Sequence, residues 1–356
     1  MNQGIPIFYE TTLVGTIEIT VEGPSFRYDP AWASVRGAFP VSLHMPLGTP
    51  GAPPSAVAPW LMNLLPEGRA LLAVGRNLGT AAQDVVGIVE EIGRDTAGAL
   101  SIGRPRRLDA PDYRPVPDTA SLEQIIEELP AKPFLAGEEG VSMSLAGAQE
   151  KLPVAFSDGK FAIPINGAPS THILKPDNSS LHGSVHNEAL CLVLARRAGL
   201  RVAEATTGIA GDRAYLLVTR YDRRLHDDRW FRLHQEDFCQ ALGKPPGAKY
   251  QHNRMGVRGP SLKDFFDTAR RHMNAADIIG LMDAIVLNVL LTNVDSHAKN
   301  YSIMLSGRGA RLAPLYDLMC GAAWPNITQN MAQDIGGQNR GRHIYRRHWR
   351  RMAAEC

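Results

Sequence analysis

The segment Asn293–Asn300, with the sequence NVDSHAKN, constrains this chain more than any other feature. It follows a long apolar stretch, and a further acid, Asp317, comes later in the triplet LYD. Phosphoryl transfer needs a group that orients the attacking hydroxyl and oxygen ligands for Mg²⁺, and protein kinases present an Asp, an Asn and a second Asp in this order. We therefore predict that Asp295 is the catalytic base and that Asn300 and Asp317 hold Mg²⁺.

A nucleotide also needs groups that hold its phosphates. The chain has neither a Gly-x-x-x-x-Gly-Lys-Ser/Thr loop nor a Gly-x-Gly-x-x-Gly turn, which disfavours a P-loop NTPase and a Rossmann enzyme. The small residues Ala146, Gly147 and Ala148 instead predict a loop whose backbone N–H groups approach phosphate oxygens. Lys175 ends a strand-like segment, and in a kinase it would contact the α- and β-phosphates while a helix carboxylate, here Glu188, positions it.

Five ordered motifs in this chain resemble the HipA family of bacterial toxin kinases. They are Ser144–Lys151, Thr171–Lys175, Arg220–Arg223, Asp295–Asn300 and Tyr316–Asp317. Three further stretches resemble the N-terminal subdomain of that family, namely Leu13–Thr16, Asn63–Gly68 and Gly93–Ala99. The resemblance therefore covers nearly the whole chain.

The resemblance implies an α+β fold. Its expected architecture is the two-lobed fold of protein kinases, with a β-rich N-lobe and a helical C-lobe, preceded by a small β-rich N-terminal subdomain. The predicted divisions are 1–104 for this subdomain, 105–135 for a linker with prolines at 105, 111, 115 and 117, 136–234 for the N-lobe and 235–356 for the C-lobe. HipA-like chains usually continue with further helices, so the C-lobe is expected to be shortened.

Hydrophobic periodicity predicts the main helices. They are a helical patch near Trp60 to Leu72, and helices over Asn187–Ala198, Leu262–Arg271 and Ala275–Asn293. In the Asn187 helix, Leu190, Val193 and Leu194 fall on one side, and Gly199 ends the helix. The pattern is helical from Gln235 onward, which places Glu236 and Asp237 early in a helix, where acids favour the dipole.

The resemblance also implies which residues contact ATP. They are Ala146, Gly147, Ala148, Gln149, Glu150, Lys151, Lys175, Thr219, Arg220, Tyr221, His297, Ala298, Lys299, Asn300, Tyr316 and Asp317. Thr219 stands where HipA-like proteins often carry Glu, and a hinge reads adenine mainly through backbone groups. For His297, a second base or a metal ligand is conceivable, but no other His lies at metal-like spacing, so ordering the loop or contacting ATP is favoured.

The corresponding loop of that family contains a serine that the kinase phosphorylates on itself. By position this serine is Ser144, and Ser142 is the alternative. A phosphate adds roughly two negative charges, so phosphorylation there is expected to displace the loop and to block nucleotide binding. The resemblance thus implies a kinase that inactivates itself.

The function implied by the resemblance is that of the toxin in a toxin–antitoxin system. The expected activity is ATP- and Mg²⁺-dependent serine/threonine protein phosphorylation, with an aminoacyl-tRNA synthetase as the substrate whose modification inhibits translation. The expected partner is a helix-turn-helix antitoxin similar to HipB, which binds operator DNA together with the toxin. Two alternatives stay open: a small-molecule or lipid kinase on the same scaffold, and a pseudokinase that only binds partners or represses.

Composition limits the class of protein. With 356 residues, 44% hydrophobic and 21% charged, the chain is long enough for one large or two ordinary cores and is neither disordered nor fibrous. The four scattered cysteines favour a reducing compartment. No signal peptide is recognisable, and the longest apolar stretch, Ile278–Leu291, is interrupted by Asp283 and Asn288 and is too short to span a bilayer. We therefore expect a cytoplasmic protein without a membrane partner.

Arginines cluster near the end of the sequence. Six of them, with two histidines and a tryptophan, lie between Arg340 and Arg351. The cluster could meet nucleic acid phosphates, but a charge run by itself specifies no partner. A solvated helix face is the favoured interpretation.

Overall fold

A computed structural model describes residues 4–49, 51–109 and 112–356. The first part of the chain forms a four-stranded antiparallel sheet with the order β3-β2-β1-β4. Its strands are β1 (Ile5–Tyr9), β2 (Thr12–Thr20), β3 (Gly23–Tyr28) and β4 (Leu100–Ile102). Alternating apolar residues such as Ile5 and Ile7 are buried, so one face of this sheet lies on the core.

Four helices accompany this sheet. They are α1 (Pro30–Ser34), α2 (Pro54–Met62), α3 (Arg69–Leu78) and α4 (Val85–Ile92). The single helical patch predicted near Trp60 to Leu72 is wrong, because α2 ends at Met62 and a turn precedes α3. Pro66 and Gly68, whose φ is +58°, explain the break, since neither favours a helix interior.

The stretch predicted as a linker is partly folded. Tyr113–Pro115 forms β5, which pairs with the large sheet described next, and Thr119–Glu128 forms α5 with Asp118 as its N-cap. Of the four prolines that suggested a linker, Pro111 lies outside the described residues, as does Ala110. The division of the chain into domains stays a prediction.

A six-stranded antiparallel sheet with the order β5-β7-β6-β8-β10-β9 forms the centre of the molecule. Its further strands are β6 (Leu152–Ser157), β7 (Lys160–Pro164), β8 (His172–Pro176), β9 (Ala205–Ala210) and β10 (Arg213–Thr219). In its register, Lys175 of β8 lies opposite Leu216 of β10. The predicted strands of the N-lobe are therefore present.

Helix α6 (Ser184–Arg197) packs against β9 and β10 and begins three residues earlier than predicted. Gly199 follows its C-cap with φ +87°, as the predicted end requires. The apolar stripe of the prediction does not face the core, however, because Leu190, Val193 and Leu194 are exposed. The buried face instead carries Glu188, Leu192 and Ala195, and small residues on it let the helix approach the sheet.

The rest of the chain contains helices and short sheets. The hairpin β11 (Arg223–His226) and β12 (Arg229–Arg232) is followed by β13 (His234–Asp237), α7 (Phe238–Ala241), α8 (Leu262–His272) and α9 (Ala275–Leu290). Then come β14 (Ser302–Ser306), β15 (Gly309–Leu312), β16 (Asn330–Ile335), β17 (Gln338–Arg340) and α10 (Arg346–Glu355). β13, β14 and β15 form one sheet, and β16 and β17 another.

These strands correct two details of the prediction for the C-terminal part. The helical pattern expected from Gln235 onward is interrupted by five strands. Glu236 and Asp237 lie on β13, and Asp237 is the N-cap of α7, where its carboxylate accepts from the Gln240 N–H at 2.8 Å. The helix α8 agrees with its prediction to one residue, whereas α9 ends at Leu290 instead of Asn293.

Two large clusters of buried apolar residues hold the molecule together. One joins the N-terminal sheet and helices to the six-stranded sheet through residues such as Ile7, Leu65 and Leu152. The other lies among α8, α9 and β14, with Phe265, Leu281 and Ile303 fully buried. No helix of the described residues is long and apolar enough to cross a membrane.

Candidate active site

A cavity of about 290 Å³ lies where the six-stranded sheet, the N-terminal helices and the loop before β14 meet. Most of the predicted site residues line it: Ala146, Gly147, Ala148, Gln149, Lys151, Lys175, Thr219, Arg220, Tyr221, Asp295, His297, Lys299, Asn300, Tyr316 and Asp317. Glu150 and Ala298 do not, because Glu150 is exposed on the outside of its loop and Ala298 is buried beneath the cavity. Two larger grooves beside α9 contain none of the predicted site residues.

The small-residue loop, residues 144–151, forms one wall of the cavity and is attached to the N-terminal part of the chain. The Glu67 N–H donates to the Gly147 carbonyl at 3.0 Å, and the Ser144 N–H donates to the Asp95 carbonyl at 3.0 Å. Gly147 has a φ of +104°, and a Cβ there would lie 2.8 Å from the Lys151 ammonium. The backbone conformation therefore favours glycine at this position, and a larger residue would also displace the lysine beside it.

The two serines of this loop region are buried. Ser144 is 0% exposed, and its hydroxyl donates to the Leu64 carbonyl at 2.8 Å. Ser142 is also buried, and its hydroxyl donates to the Glu91 carbonyl at 2.6 Å. Neither hydroxyl lines the cavity in this conformation. A kinase could reach either serine only after the loop had left this position.

The predicted lysine–glutamate pair is present at the back of the cavity. The Lys175 ammonium donates to Glu188 Oε1 at 2.8 Å and also contacts the carboxylate of Asp317. Burial alone would lower the pKa of Lys175, but these two carboxylates raise it above its usual value, so the lysine stays charged. Strand β8 thus supplies the cation, helix α6 supplies the acid that holds it, and the segment after β15 supplies a second acid that faces it.

Asp317 is suited to hold a hard cation. Its side chain is 25% exposed, and its φ of +52° places it in the left-handed region, which is uncommon for a residue other than glycine. Burial favours the neutral form, but the charges of Lys175 and Lys151 lower the pKa of Asp317 to about 2. Its carboxylate is therefore ionised throughout the physiological pH range, as a Mg²⁺ ligand requires.

Lys151 contributes a second cation at the same wall. Its ammonium donates to the Ala146 carbonyl at 2.7 Å, inside its own loop. Burial lowers the pKa of Lys151 to about 8, although the charge of Asp317 acts in the opposite direction. Burial deprives this ammonium of water, and the negative charge of a bound phosphate would stabilise its charged form in place of that water.

The Asp295 loop, residues 291–301, follows α9 and carries the predicted base. Asn293 anchors it, since its buried amide donates to Asn288 Oδ1 at 2.9 Å and to the Asp317 carbonyl at 3.2 Å. The side chain of Asp295 is 61% exposed where it lines the cavity, and desolvation by the surrounding protein raises its pKa. The Tyr250 hydroxyl donates to its carboxylate. Asp295 is thus both accessible and oriented.

Asn300 closes the Asp295 loop. Its side-chain N–H donates to the Asp295 carbonyl at 2.7 Å, which fixes the carboxamide and leaves its oxygen as an acceptor. The carboxamide oxygen of Asn300 and the carboxylate of Asp317 are the kinds of donor that Mg²⁺ takes together with phosphate oxygens and water. The residues present therefore fit Mg²⁺ bound together with a nucleotide.

His297 is neutral and buried within this loop. Burial lowers the pKa of His297 well below its usual value, and the nearby charges of Lys249 and Lys299 act in the same direction. Its Nε2 lies 3.8 Å from Asp295 Oδ1, and its Nδ1 has no hydrogen-bond partner among the described residues. The contact of His297 with a ligand stays a prediction.

Lys299 is held by groups of both halves of the chain. Its ammonium donates to Asn63 Oδ1 at 2.6 Å and to Asp237 Oδ2 at 3.2 Å. Both the lysine and its partners are buried. Lys299 therefore connects the Asp295 loop with the turn after α2, and its predicted contact with ATP would have to compete with these bonds.

The segment after β10 carries the predicted adenine contacts. The rings of Tyr221 and Tyr316 lie 6.0 Å apart at the edge of the cavity, and the Tyr316 hydroxyl donates to the Lys299 carbonyl at 2.8 Å. The guanidinium of Arg220 points away from the cavity and binds Asp222 Oδ2 at 2.7 Å. The contact of Arg220 with ATP stays a prediction, and because burial and this pairing hold the guanidinium in the protein interior, the contact would have to come from its backbone.

Arg220 belongs to a group of buried charges, which we call the arginine–aspartate cluster. Its members are Arg220, Arg223, Arg232, Asp95 and Asp222. Asp95 Oδ1 lies 2.8 Å from the Arg223 guanidinium and 3.1 Å from that of Arg232. Desolvation opposes ionisation of Asp95, but the three guanidinium groups lower its pKa far below the usual value. The cluster fixes the segment that pairs with the small-residue loop.

Four functional candidates in or beside this cavity were not predicted from the sequence, and two of them, Lys249 and Tyr250, line it. Glu67, Lys249 and Tyr250 lie around Asp295, and Asp95 supports the small-residue loop. The family resemblance included Glu67 and Asp95 among its motifs but gave them no role. Lys249 and Tyr250 had no local signal at all, since neither a single Lys nor a single Tyr in a loop indicates chemistry.

Glu236 yields a prediction about the pH dependence of stability. One of its carboxylate oxygens accepts from the Leu43 N–H at 2.8 Å, and the other has no hydrogen-bond partner among the described residues. Burial raises the pKa of Glu236 to about 8, above the roughly 4.3 of an unfolded chain. The protonated form therefore stabilises the fold below about pH 4, and this contribution is lost as the pH rises through 8.

We expect Glu236→Gln to remove this dependence, because glutamine keeps the acceptor for Leu43 and has no charge to bury. The difference in the free energy of unfolding between the variant and the wild type should increase by a few kcal/mol in favour of the variant as the pH rises from 5 to 9. Urea unfolding at both pH values measures the difference. Glu90→Gln, at an exposed position of α4, is the control and should gain nothing. An equal difference between Glu236→Gln and the wild type at both pH values would contradict the assignment.

The chain matches two family models. A model of the HipA N-terminal domain matches residues 5–103, and a model of the HipA-like C-terminal domain matches residues 143–356. Y4mE of Sinorhizobium fredii, named as a candidate kinase, is 37% identical over 340 residues, covering 93% of this chain and 80% of that protein. The serine/threonine-protein kinase toxin HipA of Shewanella oneidensis is 29% identical over 346 residues, covering 94% of this chain and 78% of that protein.

A solved structure is similar over almost the same extent. It is the complex of HipA, HipB and operator DNA from the Shewanella oneidensis toxin–antitoxin system. The TM-score is 0.84 at 26% sequence identity, with 97% of this chain and 82% of that chain covered.

Proposed function

Because this chain belongs to the HipA family of toxin kinases, we propose that it transfers the γ-phosphoryl group of ATP to a serine or threonine hydroxyl in an Mg²⁺-dependent reaction. The family membership confirms the resemblance noted in the sequence, and the kinase activity and the kinase-like α+β fold go with it. The nucleotide, the metal, the individual site residues and the substrate are proposals.

One observation carries the proposal. A single cavity is lined by Asp295, Asn300 and Asp317 together with Lys175, and the small-residue loop forms its wall. Phosphoryl transfer requires little covalent chemistry of the protein, so its parts are a group that orients the hydroxyl, cations and N–H groups for the phosphates, and oxygen ligands for Mg²⁺. All of these groups face the same space.

In the proposed reaction each residue has a separate task. Asp295 accepts the proton of the attacking hydroxyl, whose oxygen forms a bond to the γ-phosphorus. The bond between the γ-phosphorus and the β–γ bridging oxygen breaks, and ADP leaves with that electron pair. Lys175, held by Glu188, contacts the α- and β-phosphates, and the N–H groups at 146–148 contact the phosphate oxygens. Asn300 and Asp317 would hold Mg²⁺, which would offset the charge of the phosphates.

We further propose that the chain is the toxin of a toxin–antitoxin system. The named relative in Shewanella oneidensis is a kinase toxin, and the similar structure contains HipA with HipB and operator DNA. By this similarity, a helix-turn-helix antitoxin would neutralise the present chain and bind operator DNA with it. An aminoacyl-tRNA synthetase is proposed as the substrate on the family resemblance alone.

Phosphopeptide mass spectrometry tests the proposed function. Purified protein, ATP and Mg²⁺ should yield phosphate on the protein itself, at Ser144 or, as the alternative, at Ser142. Adding an aminoacyl-tRNA synthetase should yield phosphate on that enzyme. ATP consumption with a metabolite but without labelled protein would favour a small-molecule kinase, and nucleotide binding that does not depend on Mg²⁺, without any transfer, would favour a binding module.

We expect Asp317→Asn to weaken binding of the Mg²⁺–nucleotide complex, because a neutral carboxamide replaces the ionised ligand. The dissociation constant should rise roughly tenfold or more, equivalent to about 1.4 kcal/mol, and affinity should become less dependent on Mg²⁺. Calorimetric titration with a non-hydrolysable ATP analogue, with and without Mg²⁺, measures both effects. Asp334→Asn is the matched control, since its carboxylate is similarly exposed at 21% and binds His252 and Gln251 outside the cavity. Unchanged Mg²⁺ dependence in the Asp317 variant would rule out this ligand.

A further inference from the structure

Lys249 lies beside the proposed base, on the loop that precedes α8. Its ammonium donates to Glu67 Oε2 at 2.8 Å, and the side chains of Lys249 and Glu67 are 14% and 19% exposed. Its carbonyl accepts from the Ala298 N–H at 3.2 Å, which attaches this loop to the Asp295 loop. Next to it, Tyr250 donates to the Asp295 carboxylate and packs edge-on against His297. Lys249 is therefore fixed within the same framework as Asp295.

Four lysines line the cavity, and they differ in what holds them. Lys175 binds two carboxylates at the back, Lys299 is bound by Asn63 and Asp237, and Lys151 lies at the wall formed by the small-residue loop. Lys249 lies on the side of Asp295, and its charge acts on both Asp295 and His297. Among these lysines it is the cation on the side of Asp295, where the attacking hydroxyl and the γ-phosphoryl group would meet.

Building on the proposed function, we propose that Lys249 is a catalytic residue that contacts the transferring phosphoryl group, and that Glu67 positions its ammonium. During transfer, negative charge spreads over the three equatorial oxygens of the γ-phosphoryl group while the carboxylate of Asp295 stands nearby. The negative charges of the carboxylate and of the phosphoryl oxygens repel each other. An ammonium beside them offsets the repulsion, and because it is fixed before the reaction, no solvent has to reorganise.

Glu67 is suited to position Lys249 because both its backbone and its side chain form hydrogen bonds. Its backbone N–H is bonded to the Gly147 carbonyl, and its carboxylate holds the ammonium. The second carboxylate oxygen, Oε1, is buried and has no hydrogen-bond partner among the described residues. Glu67 thereby sets the position of Lys249 relative to the small-residue loop, which is the wall proposed to hold the phosphates.

The test compares variants of the whole chain in single-turnover phosphoryl transfer. Lys249→Met keeps the length of the side chain and removes its charge, so the rate constant should fall roughly 10²-fold. Affinity for the Mg²⁺–nucleotide complex should stay within about twofold, because the contact forms mainly in the transition state. Lys249→Arg should retain part of the rate. Lys263→Met is the matched control, since Lys263 pairs with Asp267 on α8 outside the cavity, and it should react like the wild type.

The role of Glu67 is tested by a double-mutant cycle. Glu67→Gln should slow transfer less than Lys249→Met does, and the double variant should be no slower than Lys249→Met, because Glu67 acts through the lysine. Additive losses would mean that Glu67 acts on its own and would overturn its positioning role. If Lys249→Met proves unstable in a melting experiment, Lys249→Gln is measured in its place.

The outcomes separate this inference from the proposed function. If the wild type transfers phosphate and Asp295→Asn does not, a wild-type rate for Lys249→Met overturns the role of Lys249 alone. A raised dissociation constant with an unchanged rate constant also overturns it, because the lysine would then bind ground state and transition state equally. If the wild type transfers no phosphate to any protein, the proposed function is wrong and this inference is wrong with it.

Discussion

Asp295→Asn is expected to abolish phosphoryl transfer while the protein stays folded. Loss of a general base costs roughly 10²–10⁴-fold in rate, and the asparagine oxygen can still accept the hydrogen bond from Tyr250. Because the side chain of Asp295 is 61% exposed toward the cavity, its replacement removes little packing. Affinity for the nucleotide should change less than twofold, since the residue acts on the hydroxyl and not on the phosphates.

Single-turnover transfer to the protein itself and to the proposed substrate measures this loss, and thermal melting checks the fold. Asp283→Asn serves as the control, because Asp283 is an exposed acid on α9 that lies in a surface groove outside the cavity. Transfer at the wild-type rate by the Asp295 variant would show that the Asp295 loop is not catalytic.

The largest effect on stability is expected for Asp95→Asn. The substitution keeps the shape of the side chain but leaves Arg220 and Arg223 with Asp222 as their remaining carboxylate. Among the described residues, Arg232 then keeps only the carboxylate of Glu10, whose Oε1 lies 3.7 Å from its guanidinium. Removing one partner of a buried ion pair costs about 3–5 kcal/mol, because the other charges stay desolvated. Burial and the neighbouring Arg220 already lower the pKa of Arg223 to about 10, so a further loss of negative charge has no compensation.

Chemical denaturation measures the free energy of unfolding of this variant. Asp109→Asn is the control, because Asp109 pairs with Arg107 on the surface, and it should unfold like the wild type. A loss below about 1 kcal/mol for Asp95→Asn would mean that water or side-chain rearrangement compensates the arginines. The arginine–aspartate cluster would then not fix the segment that pairs with the small-residue loop.

The sequence predicted the parts of the site that are contiguous in the chain. Asp295 and Asn300 share one loop, and their spacing is set by local backbone geometry, so a motif is enough to identify them. The pairing of Lys175 with Glu188 was also predictable, because a strand-end lysine and a helix acid follow each other closely in a known order. The contact of Asp317 with Lys175 follows from the same order of elements.

What the sequence did not predict depends on tertiary contacts between distant segments. Nothing local shows that Glu67 meets Lys249, or that Arg220 turns away from the cavity to meet Asp95. The prediction that the apolar stripe of α6 faces the core is wrong for a related reason. Leu190 has the right periodicity, but the sheet packs against the face that carries Glu188. Periodicity identifies an apolar face of a helix but does not show whether another element of the protein packs against that face.

The attachment of the small-residue loop to Leu64, Glu67 and Asp95 has a consequence for protein synthesis. A ribosome that adds roughly 5–20 residues per second produces these anchoring residues before the loop. It needs roughly 7–30 s more to reach the Asp295 loop, which lies about 150 residues beyond Gly147. Until then the nascent chain lacks Asp295, the proposed base. A kinase whose proposed target belongs to translation therefore stays inactive while its own chain is being translated.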